Sequence, residues 1–172
     1  RNLRDNVFGR EPMTVDIYDA EVQDIPEIIA LIKQVLSNNK AESIERTMKR
    51  LYTQSAFEKA LASDNRHIII AIIDDTIAGV CQYGIPIMDD CDCEDLRTIH
   101  SLFVHPDYEH NDIASALIYD VEETINTDAG VQRLSVFVDE NNMPLIKFYA
   151  SLDFIHDQVE DSETEWYMEK DL

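Results

Sequence analysis

The stretch "HPDYEHNDIASAL", residues 105–117, lies where a strand-like run gives way to an amphipathic helix. A helix start gathers unbonded backbone N–H groups and the positive end of the helix dipole, which suits a phosphate or another anion. The residue types here pull the other way. Glu109 and Asp112 bring two carboxylates to the turn, and the turn holds no glycine to let backbone approach a ligand closely. Shortly before it, the strand carries His100, whose imidazole can take up a proton near neutral pH. Farther on, "NNMPLIKFYASL" (141–152) opens with Asn142, a residue suited to cap a helix, and holds the adjacent aromatics Phe148 and Tyr149.

Other reactive side chains are less organised. Cys81, Cys91 and Cys93 are odd in number, and the C-x-C pair has no companion cluster of ligands. Neither a disulfide framework nor a metal site is expected, and three reduced thiols are the plain reading. His105 and Pro106 are expected to shape the turn. His67, His110 and His156 are scattered. Asp89, Asp90, Asp92, Glu94 and Asp95 fall on one acidic segment, "MDDCDCED" (88–95), read as a solvated loop that could also meet a cation.

These residues need elements to hold them. "TVDIYDA" (14–20) alternates like a strand. "DIPEIIALIKQVL" (24–36) follows as a helix, with Asp24 as its cap, Glu27 three residues on, and Ile25, Ile28, Ile29, Ile32 and Val35/Leu36 on one face. Residues 41–62 read as one or two helices, with a start at "SAFE" (55–58). "HIIIAIID" (67–74) and "TIAGVCQYGIPI" (76–87) form a hairpin through Asp74 and Asp75. Then come a strand at 96–104, a helix at 113–126, a strand at 132–138, the short helix of 141–152 with Pro144 in its first turn, and two strands at 154–160 and 164–170. The order β-α-α-β-β-β-α-β-α-β-β predicts one α+β sheet with helices on its faces. Residues 1–12 precede Met13 and are set aside as an N-terminal extension or tag, leaving 13–172 as a single domain.

Charge narrows the partners. Thirty-five Asp and Glu stand against fourteen Lys and Arg, a formal net charge of −21 over 172 residues. Nucleic acid is disfavoured, because binding it needs a basic surface. An acidic field attracts cationic amines, and it also keeps a protein soluble or suits a salty environment. No apolar run approaches the roughly 20 residues that cross a bilayer. The expected setting is the cytoplasm, with no membrane partner.

Two segments, in this order of elements, resemble the GNAT family of N-acyltransferases. "LFVHPDYEHNDIASALI" (102–118) is similar to the family's strand, His-Pro-x-Tyr turn, Arg/Gln-x-x-Gly-x-Gly/Ala loop and helix. "NNMPLIKFYASLDF" (141–154) is similar to its Asn-x-x-Ala-x-x-x-Tyr-x-x-x-Gly-Phe segment. The resemblance spans about residues 13–170. It implies a mixed, mostly antiparallel sheet splayed between its fourth and fifth strands, with acyl-CoA in the opening. The pantetheine arm would pair with the backbone of Leu102, Phe103 and Val104. The pyrophosphate would sit on the amides of Glu109, His110, Asn111, Asp112, Ile113 and Ala114. Asn142 would help position the cofactor, Tyr149 would protonate the leaving thiolate, and His100 would act as base. The activity implied is transfer of an acetyl group from acetyl-CoA to a primary amine, a small cationic one such as a polyamine or lysine-like amine. A second copy of the chain is a further partner considered. Three positions depart from the pattern: Glu109 replaces Arg or Gln, and Asp112 and Asp153 replace glycines. The alternative they raise is a binding or regulatory protein on the same fold that has lost CoA.

Overall fold

The computed structural model describes residues 3–4, 15–38, 44–87, 93–109 and 112–172. Most of the acidic segment 88–95, and His110 and Asn111 of the turn, lie outside the described residues. The strands are β1 (Leu3–Arg4), β2 (Asp16–Asp19), β3 (Arg66–Ile73), β4 (Thr76–Gly84), β5 (Leu96–Val104), β6 (Arg133–Asp139), β7 (Ile155–His156) and β8 (Glu165–Asp171). The helices are α1 (Ile25–Asn38), α2 (Ile44–Leu51), α3 (Gln54–Leu61), α4 (Ile113–Ile125) and α5 (Met143–Ser151). The eight strands follow the order β1-β2-β3-β4-β5-β6-β8-β7. β1/β2, β2/β3, β6/β8 and β7/β8 are antiparallel, whereas β5/β6 is parallel. The α+β class and the mixed, mostly antiparallel sheet agree with the sequence. Leu3 and Arg4, set aside there, pair with Ile17 and Tyr18, so β5 and β6 are the expected fourth and fifth strands. By internal contacts the chain divides into two compact units: Arg1–Gln82 with Ser101–Asp120, and Tyr83–His100 with Val121–Leu172.

In the first unit α1 buries Ile25, Ile28, Leu31 and Ile32 against Phe57 of α3, Ile68 and Ile70 of β3, and Ile77 and Val80 of β4. The helical periodicity dictates that face, and the side chains match it closely. The cap lies three residues earlier than expected. Glu21 is the N-cap of a 3-10 turn, Val22–Asp24, and Asp24 returns its carboxylate to the Glu21 N–H at 2.8 Å. The capping pair is thus Glu21 and Asp24, with Asp24 as the third residue and not the cap. Glu27 reaches β4 and accepts the Ile77 N–H at 2.9 Å. α3 likewise starts early: Thr53 caps it by accepting the Ala56 N–H at 3.1 Å. The β3/β4 hairpin turns through Asp74 (φ 47°) and Asp75 (φ 61°), two left-handed residues, as a turn that follows the twist of its strands requires.

Gly79 of β4 seats the start of α4. A Cβ placed on it would lie 2.7 Å from Ile113 Cγ2, 3.0 Å from Leu117 Cδ1 and 3.3 Å from the Phe103 carbonyl oxygen. Only glycine lets the helix settle this closely on the strand. Cys81, two residues on, is a free, buried thiol; burial, and then the carboxylate of Asp120, push its pKa far up. Cys93 is disulfide-bonded, so the expectation of reduced thiols throughout is corrected.

In the second unit the parallel ladder runs from Leu96↔Arg133 to Ile99↔Val136, four residue pairs of a nine-residue β5. β6 pairs along its whole length with β8, Arg133↔Asp171 to Asp139↔Glu165. Thr98 and Ser135, adjacent in the ladder and buried, share a hydrogen bond of 2.8 Å. Arg133 fastens the ladder's start. It meets both oxygens of Asp95 at 3.0 and 3.1 Å and Glu169 of β8 at 3.1 Å, while Tyr167 donates its hydroxyl to Glu169.

Candidate functional site

The first unit contributes the strand end, the turn and the helix start. Leu102, Phe103 and Val104 close β5, all half-buried. The chain then bends as the His105 N–H donates to the Ala78 carbonyl at 2.8 Å. Pro106–Tyr108 forms one 3-10 turn, capped by His105, whose Nδ1 accepts the Asp107 N–H at 3.2 Å. Tyr108 packs edge-on against the His105 ring, centroids 5.5 Å apart. His105 and Pro106 therefore shape the turn, as expected. Glu109 is exposed and right-handed.

Asp112 is the informative residue. It is exposed, its φ is 55°, and its carbonyl accepts the Ala116 N–H at 2.9 Å, which makes it the residue that starts α4. The backbone at this position is left-handed, the conformation glycine favours and aspartate tolerates better than most side chains. Beyond it the N–H groups of Ile113 and Ala114 belong to the first turn, where no intrahelical acceptor exists. Ile113 is buried, so its contribution to a ligand is its amide.

The second unit holds the other candidates. His100 follows Ile99 on β5, with its ring half-buried and Nε2 shielded from solvent. Asn142 caps α5: its Oδ1 accepts the Leu145 N–H at 3.2 Å and its own N–H donates to Asp139 at 2.8 Å. Tyr149 is 1% exposed. Its ring stands edge-on to Phe148 and to Phe154, each at 5.2 Å. The helix end fixes that position. Asp153 has φ 70°, its N–H donates to Ala150, and the Phe154 N–H donates to Tyr149 at 3.1 Å. This is the paired-bond termination in which a left-handed residue reverses the chain and the residue after it packs on the last turn. Here those two packed residues are Phe154 and Tyr149.

A family model described as "Acetyltransferase (GNAT) family" matches residues 30–154. The chain belongs to the GNAT family. Solved structures share the fold at low identity. PaiA N-acetyltransferase from Thermoplasma acidophilum, in complex with coenzyme A, superposes with a TM-score of 0.79 at 17% identity, covering 93% of this chain and 100% of that one. An acetyltransferase from Thermus thermophilus gives 0.73 at 13% identity over 93% and 98%. A ribosomal-protein alanine N-acetyltransferase from Escherichia coli gives 0.66 at 16% over 92% and 93%. No curated protein matches the sequence. Among the described residues no helix is long and apolar enough to cross a membrane.

GNAT acetyltransferases use acetyl-CoA, and that is the cofactor membership implies for this chain. The residues present fit it in backbone geometry. Asp112 keeps the left-handed step into α4, and Gly79 holds the start of α4 close to β4. The fit is poorer in charge, since Glu109 and Asp112 are exposed carboxylates. The sequence reading did not single out Gly79, although an isolated glycine inside a strand pattern was the available signal; it noted that Asp153 replaces a glycine but not that its backbone is left-handed.

Proposed function

We propose that this GNAT protein is an acetyl-CoA-dependent N-acetyltransferase, with a small cationic amine such as a polyamine or lysine-like amine as acceptor. The observation that carries the reading is Asp112 at φ 55°: at the position where the family pattern has glycine, aspartate holds the left-handed backbone that glycine favours. Leu102, Phe103 and Val104 would hold the pantetheine arm by backbone pairing. The amides of Glu109, His110, Asn111, Asp112, Ile113 and Ala114 would take the pyrophosphate, and Asn142 would help place the cofactor. When bound, acetyl-CoA supplies an acetyl group activated as a thioester. His100 would take the proton of the acceptor ammonium, directly or through water, since only a neutral amine attacks. Tyr149 would return a proton to the departing sulfur. Transfer would be direct, with no acyl group on the protein.

The exposed carboxylates of Glu109 and Asp112 favour a second reading, a catalytically inactive GNAT-fold binding or regulatory protein. Calorimetric titration with CoA, followed by thiol release from acetyl-CoA in the presence of spermidine, separates the two. The acetyltransferase reading expects saturable CoA binding and amine-dependent thiol release. Absence of CoA binding leaves the second reading standing.

A further inference from the structure

Two polar side chains of the first unit are shielded without a partner. Gln82 of β4 is 9% exposed, and Ser101 of β5 keeps its Oγ away from solvent. Among the described residues neither the Gln82 carboxamide nor the Ser101 hydroxyl makes a hydrogen bond. Other buried polar side chains are satisfied: Thr98 shares a hydrogen bond with Ser135 at 2.8 Å, and Asp24 accepts the Glu21 N–H at 2.8 Å. A buried donor left unbonded costs about 1–3 kcal/mol, so a pair of them calls for a reason.

The strands bring the two side chains to one place. β4 and β5 are neighbours in the sheet, and the His105 N–H donates to the Ala78 carbonyl at 2.8 Å, so the end of β5 lies beside the start of β4. Gln82 stands four residues after Ala78, and Ser101 four residues before His105. They also share a face. Gly79 lies against Ile113 and Leu117 of α4, whereas Val80 and Phe103 pack in the core built on α1 and α3. Strand alternation carries Gln82 to the side of Val80, Ser101 to the side of Phe103, and His100 to the other face of β5. β5 is not closed over here. Although β4 and β6 flank it, its residues are half-buried from His100 to Val104, and its ladder with β6 ends at Ile99↔Val136.

These positions meet a need that the proposed roles leave open. With the pyrophosphate on the turn of 109–114 and the pantetheine arm along Val104 to Leu102, the thioester end of acetyl-CoA arrives at Ser101. His100 and Tyr149 account for two protons. The negative charge that gathers on the carbonyl oxygen as the amine attacks still needs donors. We propose that the Ser101 hydroxyl and the Gln82 carboxamide N–H donate hydrogen bonds to that oxygen. The inference rests on the acetyltransferase reading and completes its site. The amine nitrogen bonds to the carbonyl carbon, the C–S bond breaks, and the electron pair on oxygen returns to re-form the carbonyl. His100 takes the amine's proton, Tyr149 supplies the sulfur's, and the pair ends unchanged. The two faces of β5 suit this division, because a nucleophile reaches a carbonyl carbon from the side away from its oxygen. Ser101 reaches a ligand by a change of one rotamer. Both donors are neutral and already out of water, where a hydrogen bond to a developing charge is strongest.

The test reads the carbonyl itself. Acetyl-CoA labelled with carbon-13 at the thioester carbonyl is bound without acceptor, and its infrared band is compared in the wild type, Ser101→Ala, Gln82→Met and the double variant. The band is expected below its solution position in the wild type and back toward it in each variant. In thiol release with spermidine each single variant should lower kcat by about 100-fold, with Kd for acetyl-CoA and KM for spermidine within about threefold. Ser101→Thr, which keeps the hydroxyl, should restore most of the loss. Urea midpoints check that the variants fold, and Ser101→Ala, which removes one oxygen atom, decides the matter if Gln82→Met unfolds. A band that stays in place, or an unchanged kcat in Ser101→Ala and in the double variant, overturns the proposal and leaves the acetyltransferase reading standing. A raised KM for spermidine at constant kcat also overturns it, by assigning the pair to the acceptor. A band that moves as expected, with no thiol release from the wild type, keeps the pair and rejects the acetyltransferase reading. A wild type that binds no acetyl-CoA overturns both.

Discussion

Aspartate 112 combines two effects of opposite sign, one on the backbone and one on charge. Its left-handed φ sets the entry into α4, while its exposed carboxylate adds negative charge to a turn proposed to hold a diphosphate. Substitutions separate the two. Asp112→Gly with Glu109→Arg should tighten CoA by about tenfold, the equivalent of removing ~1.4 kcal/mol of repulsion. Asp112→Ala removes the same charge but pays about 1–2 kcal/mol to stay left-handed, so it should fall short of Asp112→Gly. Calorimetry with CoA checks the ranking, and an alanine variant equal to the glycine variant would mean that backbone conformation is irrelevant there. For chemistry, Tyr149→Phe should lower kcat tenfold or more with little change in acetyl-CoA affinity, because the ring packed between Phe148 and Phe154 remains. His100→Ala should cost more at pH 6 than at pH 9, since a larger share of the amine is already neutral at high pH. A uniform loss across that range would reduce His100 to a packing role. These residue types were legible in the sequence. The conformations of Asp112 and Asp153 were not, because a one-letter code reports a side chain and not a φ.

Elements were more legible than their ends. β5 and the buried faces of α1 and α4 follow from alternation and helical periodicity, which are properties of the pattern itself. The caps of α1 and α3 were misplaced because capping depends on which of several Asp, Glu, Ser or Thr side chains reaches back, and "EVQD" and "YTQS" each offer more than one. The pair most sensitive to change is β4 with α4. Gly79→Ala should destabilise the fold by about 1–3 kcal/mol, because the added methyl meets Ile113, Leu117 and the Phe103 carbonyl at once. It should also weaken CoA binding by displacing the start of α4. Urea denaturation and calorimetry on the same preparation report the two effects, and full stability with weakened CoA would locate the fault in the loop alone. At the other helix end, Asp153→Ala should cost about 1–2 kcal/mol, and Asp153→Gly much less, since glycine accepts the left-handed step but loosens the unfolded chain.

Across the whole molecule charge dominates. A net charge of −21 repels itself, so thermal unfolding should move to higher temperature as sodium chloride rises from 10 to about 150 mM. A midpoint independent of salt would show the charges to be locally compensated. Acid acts through specific pairs. The Arg133 guanidinium holds the Asp95 carboxyl below its usual range, so its contribution to stability is present above about pH 4 and lost as pH falls through the depressed value. Burial, reinforced by Glu169, pushes the Tyr167 phenol up, so its contribution is present below about pH 10 and lost as pH rises through the raised value. Arg133→Gln should flatten the acid limb of a urea-midpoint profile between pH 6 and pH 3. The same economy of charge reaches into the turns. Asp74, Asp75, Asp112 and Asp153 are all left-handed, and among the described residues no glycine is. In the genetic code aspartate and glycine differ by a single base, GAY against GGY. Each of these turns is therefore one point mutation from glycine, and each such step removes a negative charge while leaving the chain's path intact. Solubility and surface potential can thus drift in unit increments, through positions that hold the fold's corners, without any mutation in its core.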